Sequence, residues 1–210
     1  ILKFETNYAN SSKGVPNLFY ISLYDKENLN HTTTNITVNN FLKYVNDGSY
    51  TRSLIHRLVK DFVIQGGGFT QPLQPSNQLG GTPTRIQSKG TIVNEPGNSN
   101  LMGTIAMAKV ANDPDSATSE WFINLVDNKH LDTQNSGFSV FGHIIGSGIN
   151  NPLELNNQAI YNVNYTDIGL NLTELPLINV ENNIVQINNY FAINRISVVE
   201  NRPDEMKTTY

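Results

Sequence analysis

With 210 residues, 38% of them apolar and only 15% charged, the chain has the size and apolar content of one domain with a substantial core. A net charge of −4 without a basic cluster argues against a phosphate-reading surface, so no nucleic acid is expected as a partner. The lack of cysteine excludes disulfides, thiolate nucleophiles and Cys-ligated zinc, and the four histidines lack metal-ligand spacing, so no metal is expected. No apolar run approaches the roughly 18–20 residues of a membrane span. The sequence opens on Ile1, without methionine. Together with the missing cysteines this fits an exported, periplasmic protein of a bacterium, with a cytoplasmic one as the alternative.

In chain order, Leu2 to Thr6 and Asn17 to Tyr24 read as strands, separated by the turn-forming stretch NSSKGVPN. After a polar loop through Thr32, Thr33 and Thr34, Thr37 is placed to cap a helix. Phe41, Leu42, Tyr44 and Val45 give that helix an apolar face, and Gly48 ends it. Next comes IHRLVKDFVIQGGGFT, from Ile55 to Thr70. Arg57 is a permanent cation with a fork of donors, Phe62, Val63 and Ile64 suit a buried strand, and Gln65 adds an amide that both donates and accepts. Gly66, Gly67 and Gly68 permit a turn or a close approach. A cation and an amide beside an apolar surface suit a small, neutral, carbonyl-bearing ligand.

The following thirty or so residues are dense in Pro, Gly, Ser and Asn and read as surface loop with one short strand. Strand character resumes at Gly103 to Met107, at Glu120 to Leu125 and at Phe138 to Ile145, with ANDPDSAT as a loop between the first two. Strand alternation sends Trp121 and Phe122 to opposite faces, with Trp121 in the core. PLELNNQAIYN reads as a short helix opened by Pro152. LPLINV and YFAINRISVV read as strands, the last closing the sheet against the N-terminal strand. Many short strands with few helices indicate a barrel or sandwich, organised as one domain over residues 1–210. Asn10, Asn30, Asn35, Asn164 and Asn171 sit in N-x-S/T triplets, which arise by chance in so asparagine-rich a chain.

Three blocks together carry a family resemblance. HR-x4-F-x2-QGG-x-F resembles the arginine segment of the cyclophilins, the peptidyl-prolyl cis–trans isomerases. GTIAMAKVANDPDSATSEWFINL and FSVFGHII resemble the family's other two signatures, in the family's order and at compatible spacing, covering Ile55 to Ile145. The resemblance implies a closed eight-stranded antiparallel β-barrel capped by helices, here enlarged by loop insertions. The 10–17 stretch is one such insertion, since related bacterial sequences join their first strands tightly. It implies catalysis of X–Pro isomerisation in unfolded or extended proline-containing polypeptides, without a cofactor. The alternative is a catalytically weak module that binds proline peptides or a partner protein, and a second is an unrelated small-ligand barrel.

By the same resemblance, Arg57 is the catalytic donor, while Gln65 contacts the substrate backbone and helps hold the guanidinium. Phe62, Val63 and Phe122 form the apolar pocket for the proline ring, joined by Leu131 and Phe138. Ala108 and Lys109 mark the strand end whose backbone grips the residue before proline, where the lysine side chain matters little. Glu120 stands where the family commonly has glutamine, and is expected to pair with Arg57 and orient it. His130 takes the place of a tryptophan that contacts cyclosporin in some members, so cyclosporin binding is expected to be weak. Phe138 replaces a histidine of many eukaryotic members and matches bacterial ones. His56 is structural, because isomerisation transfers no proton.

Overall fold

The computed structural model describes residues 1–9, 13–15, 17–26, 30–72, 81–181 and 185–199. Its strands are β1 (Leu2–Thr6), β2 (Leu18–Leu23), β3 (Ser53–Val59), β4 (Val63–Thr70), β5 (Thr84–Arg85), β6 (Thr104–Met107), β7 (Trp121–Asn124), β8 (Val140–Ile144), β9 (Ala159–Tyr165), β10 (Leu170–Leu177) and β11 (Ala192–Val198). The two α-helices are α1 (Asn35–Asn46) and α2 (Asn150–Leu155). Hydrogen bonding runs β3-β11-β1-β2-β8-β6-β7-β4, and the β4–β3 pairing closes the ring. All pairs in it are antiparallel, giving a closed eight-stranded barrel, with short β5 attached to the far half of β4. The expected closure of the last strand against the first is present, with Leu2 opposite Val198 and Phe4 opposite Ile196.

The barrel closes because alternate residues of its strands give it an apolar filling. In β1, Leu2, Phe4 and Thr6 are buried while Lys3 and Glu5 are not. Phe4 stacks on Phe19 and meets the edge of Trp121, which is itself fully buried. Helix α1 plugs the barrel with Phe41 and Tyr44, packed against Tyr50 and Phe141. The insertion read at 10–17 and the surface loop read at 71–100 fall partly outside the described residues, including 10–12, 16 and 73–80.

Several local expectations are corrected. Thr37 is not the N-cap: α1 begins at Asn35 with Thr34 at the cap position, and neither threonine hydroxyl makes a capping bond. The amides of the first turn that lack an intrahelical partner go instead to a carboxylate from the long loop. Ile36 N donates to Glu95 Oε1 at 3.2 Å and Thr37 N to Glu95 Oε2 at 2.7 Å. An anion at the positive end of the helix satisfies two orphan donors at once. Gly48, at φ 77°, does follow the helix end as expected. Helix α2 starts at Asn150, two residues before Pro152, whose missing N–H is harmless in a first turn.

The larger correction concerns residues 159–177. They form a separate two-stranded sheet, β9 with β10, turned at Gly169 with φ 63°. The signal was present as alternation, Y-N-V-N-Y answered by L-N-L-T, but the helix reading ran through its start. Leu172 faces Val163, and both bury with Leu175, Leu177 and Tyr190 against Leu54 of β3 and Phe69 of β4. The Tyr165 and Tyr190 hydroxyls, 2.6 Å apart, hydrogen-bond within this second core, and burial raises the pKa of both.

Candidate active site

Nine of the expected residues line one pocket on the outer wall of the barrel: Arg57, Phe62, Val63, Gln65, Ala108, Lys109, Phe122, Leu131 and Phe138. Strand alternation explains how they meet. In β7, Trp121 points into the barrel and Phe122 out of it, into a cluster with Val63, Ala106, Leu131 and Val140. Phe62, Ala108 and Phe138 complete this cluster while remaining partly open. Phe122 and Phe138 meet edge to face, 5.6 Å apart at 80°, and so make a fixed apolar corner.

Phe138 owes its position to a strained turn and to Lys109. Asn135, Ser136 and Gly137 all have positive φ. A Cβ on Gly137 would lie 2.7 Å from the Asp132 carbonyl oxygen, so only glycine fits there. Lys109 Nζ donates to the carbonyls of Asn135 at 2.8 Å and Gly137 at 2.5 Å, and lies 4.9 Å from the Phe138 ring. Burial lowers its pKa. The lysine side chain, expected to matter little, braces the turn that presents Phe138.

On the polar side of the pocket, Arg57 and Gln65 are each bonded to a carboxylate from outside its lining. Arg57 and Gln65 face each other across β3 and β4. Gln65 Nε2 donates to Glu120 Oε2 at 2.7 Å, and Arg57 Nε donates to Glu174 Oε2 at 2.6 Å. The expected Glu120–Arg57 pair is therefore absent, as is a Gln65 bond to the guanidinium. Glu120 lies on the other side of Gln65, in a neighbouring hollow with Gly68, Arg85 and Thr118. There it is 3.5 Å from His56 Nε2 and 4.0 Å from Arg85 Nη1. A Cβ on Gly68 would come within 2.9 Å of the His56 ring and 3.0 Å of Glu120, so the glycine makes room for this contact. Gly66 and Gly67 likewise admit the Trp121 indole. His130 stays outside the pocket lining, exposed, its ring stacked 5.6 Å from that of Phe62.

Burial alone would raise the Glu120 pKa, but His56, Gln65 and Arg85 outweigh it and hold the carboxyl below its usual value. A carboxyl with a depressed folded-state pKa stabilises the fold above its unfolded pKa, about 4.3, and that contribution is lost as pH falls through the folded value. Between pH ~5 and ~3 the wild type should therefore lose more Tm than Glu120→Gln does. Parallel Tm–pH curves for the two proteins would contradict this.

Arg85 and Glu174 are residues beside the site that the sequence did not indicate, while His56, read as structural, lies against Glu120. Glu174 lies 117 residues from Arg57, and no local pattern marks it. Among the described residues, no group of three His, Cys, Asp or Glu is arranged to hold a metal ion, and no helix is long and apolar enough to cross a membrane.

Comparison with known proteins agrees with this geometry. The family model for cyclophilin type peptidyl-prolyl cis-trans isomerase matches residues 26–164. Peptidyl-prolyl cis-trans isomerase cyp18 of Streptomyces antibioticus is 42% identical over 121 residues, which cover 55% of this chain and 68% of that protein. Peptidyl-prolyl cis-trans isomerase A of Dickeya dadantii is 39% identical over 112 residues, covering 52% of this chain and 54% of that one. For isomerase B of Escherichia coli the values are 39% over 116 residues, covering 52% and 64%. The chain thus spans between about half and two thirds of the curated relatives it matches. In fold it is similar to a Cryptosporidium parvum cyclophilin type isomerase crystallised in the presence of the dipeptide Ala-Pro, with TM-score 0.59 and 19% identity over 95% of this chain and 99% of that one. Since the family model takes in well over half of the chain, including every residue that lines the pocket, this protein belongs to the cyclophilin-type peptidyl-prolyl cis–trans isomerase family.

Proposed function

We propose that the protein accelerates cis–trans isomerisation of X–Pro bonds in unfolded or extended polypeptides, without a cofactor. The observation that carries this reading is the meeting of Arg57 with Phe62, Val63, Phe122, Leu131 and Phe138 in one pocket. Amide resonance sets a barrier of about 18–20 kcal/mol. In the twisted state that resonance is lost, and the proline nitrogen gains a lone pair. The apolar corner holds the proline ring, and the guanidinium donates towards that nitrogen. This interaction is stronger in the twisted state than in either planar one, so it lowers the barrier. Neither a nucleophile nor a general base is required.

A protease-coupled assay on a short X–Pro peptide tests the proposal, with clear acceleration expected. Peptide binding without acceleration would favour the alternative, a binding module, for which the capture of Arg57 by a carboxylate is the specific supporting observation. With His130 on the rim, cyclosporin contacts are expected to be poor. Weak inhibition should follow, and a nanomolar inhibition constant would refute that expectation.

A further inference from the structure

Among the described residues, the Arg57 guanidinium makes one hydrogen bond, and its acceptor lies outside the part of the chain that the family model matches. Nε donates to Glu174 Oε2 at 2.6 Å, with the two side chains 40% and 37% exposed. Glu174 belongs to β10, beyond residue 164 where the match ends. The strand is firmly seated: Leu172, Leu175 and Leu177 bury against Leu54 of β3, the strand that also carries Arg57. Between Leu172 and Leu175 the ladder slips, so that Thr173 and Glu174 stand against Asn162 alone. A bulge of this kind re-aims a side chain out of the strand's alternation. Gln65 makes no hydrogen bond to the guanidinium among the described residues, and its Nε2 donates to Glu120.

We propose, on the reading of Arg57 as the catalytic donor, that Glu174 is its positioning residue. A free arginine samples many rotamers, and holding it aimed before substrate arrives removes that entropy loss from the reaction. The charge-assisted bond at Nε fixes the plane of the guanidinium and leaves both terminal amino groups available to the substrate. The β9–β10 hairpin is thus part of the catalytic apparatus, with one carboxylate fixing Arg57 as Glu120 fixes Gln65.

The test compares kcat, KM and Tm for wild type, Glu174→Ala, Glu174→Gln, Arg57→Ala and the double variant Arg57→Ala/Glu174→Ala. Glu174→Ala should lower kcat about tenfold, with KM changed by less than about twofold. Its Tm should stay at the wild-type value, since a half-exposed ion pair contributes little to stability. Glu174→Gln should recover part of the rate, because its amide oxygen still accepts from Nε. On the Arg57→Ala background, removing Glu174 should change nothing. An unchanged or increased kcat in Glu174→Ala would overturn the proposal, as would an undiminished effect in the double variant. An Arg57→Ala variant as active as wild type would instead overturn the catalytic reading of Arg57.

Discussion

Replacing Arg57 with alanine is expected to lower kcat/KM by about 10²- to 10³-fold, the usual loss when one preorganised donor is removed from a developing charge. The pocket would keep its apolar corner, since Val63, Phe122 and Leu131 are buried independently of the arginine. Peptide binding should therefore weaken far less than turnover. Arg57→Lys should be almost as impaired, because a single ammonium on a flexible stem cannot keep one donor on Glu174 and another on substrate. Stability should hardly move in either variant: the pair is half-exposed, and such pairs contribute about 0–1 kcal/mol. The measurement is the protease-coupled rate beside a thermal melt. An equal fall in rate and in peptide affinity would mean that Arg57 only binds.

Trp121→Ala should have the largest effect on the fold, about 3–5 kcal/mol. Trp121 is the only tryptophan, is fully buried, and takes the edge-to-face contact of Phe4 with ring centroids 5.8 Å apart. Strand β4 leaves space for it, since a Cβ on Gly66 would come within 2.7 Å of its ring. Alanine would leave an unfilled cavity between β4 and β7, and a drop in Tm of roughly 10 °C or more should follow for a domain of this size. Trp121→Phe should lose much less, because the indole nitrogen has no hydrogen-bond partner among the described residues. At temperatures where Trp121→Ala remains folded it should still isomerise peptide, since its side chain faces away from the pocket that Phe122 lines. A Tm within about 2 °C of wild type would contradict this account of the core.

The behaviour of Trp121 and Phe122 was legible in the sequence because a strand has a two-residue period, and one buried face assigns every neighbour. Leu2, Phe4, Phe19 and Ile21 became barrel filling by the same rule, and the aromatic face of α1 followed from helical spacing. The motif residues around Arg57 and Phe122 then placed the pocket on that scaffold. The partners of the charged groups were not legible. Glu120 turned to Gln65 across 55 residues, Glu95 capped α1 across 58, and Glu174 reached Arg57 across 117. Propensity and periodicity describe a residue's own element, whereas a carboxylate takes whichever donors the closed barrel brings within about 3 Å. Local pattern therefore determined the barrel strands and their filling, and the family motifs the residues of the pocket, while barrel closure and the packing of the β9–β10 hairpin on β3 decided which carboxylate holds the arginine.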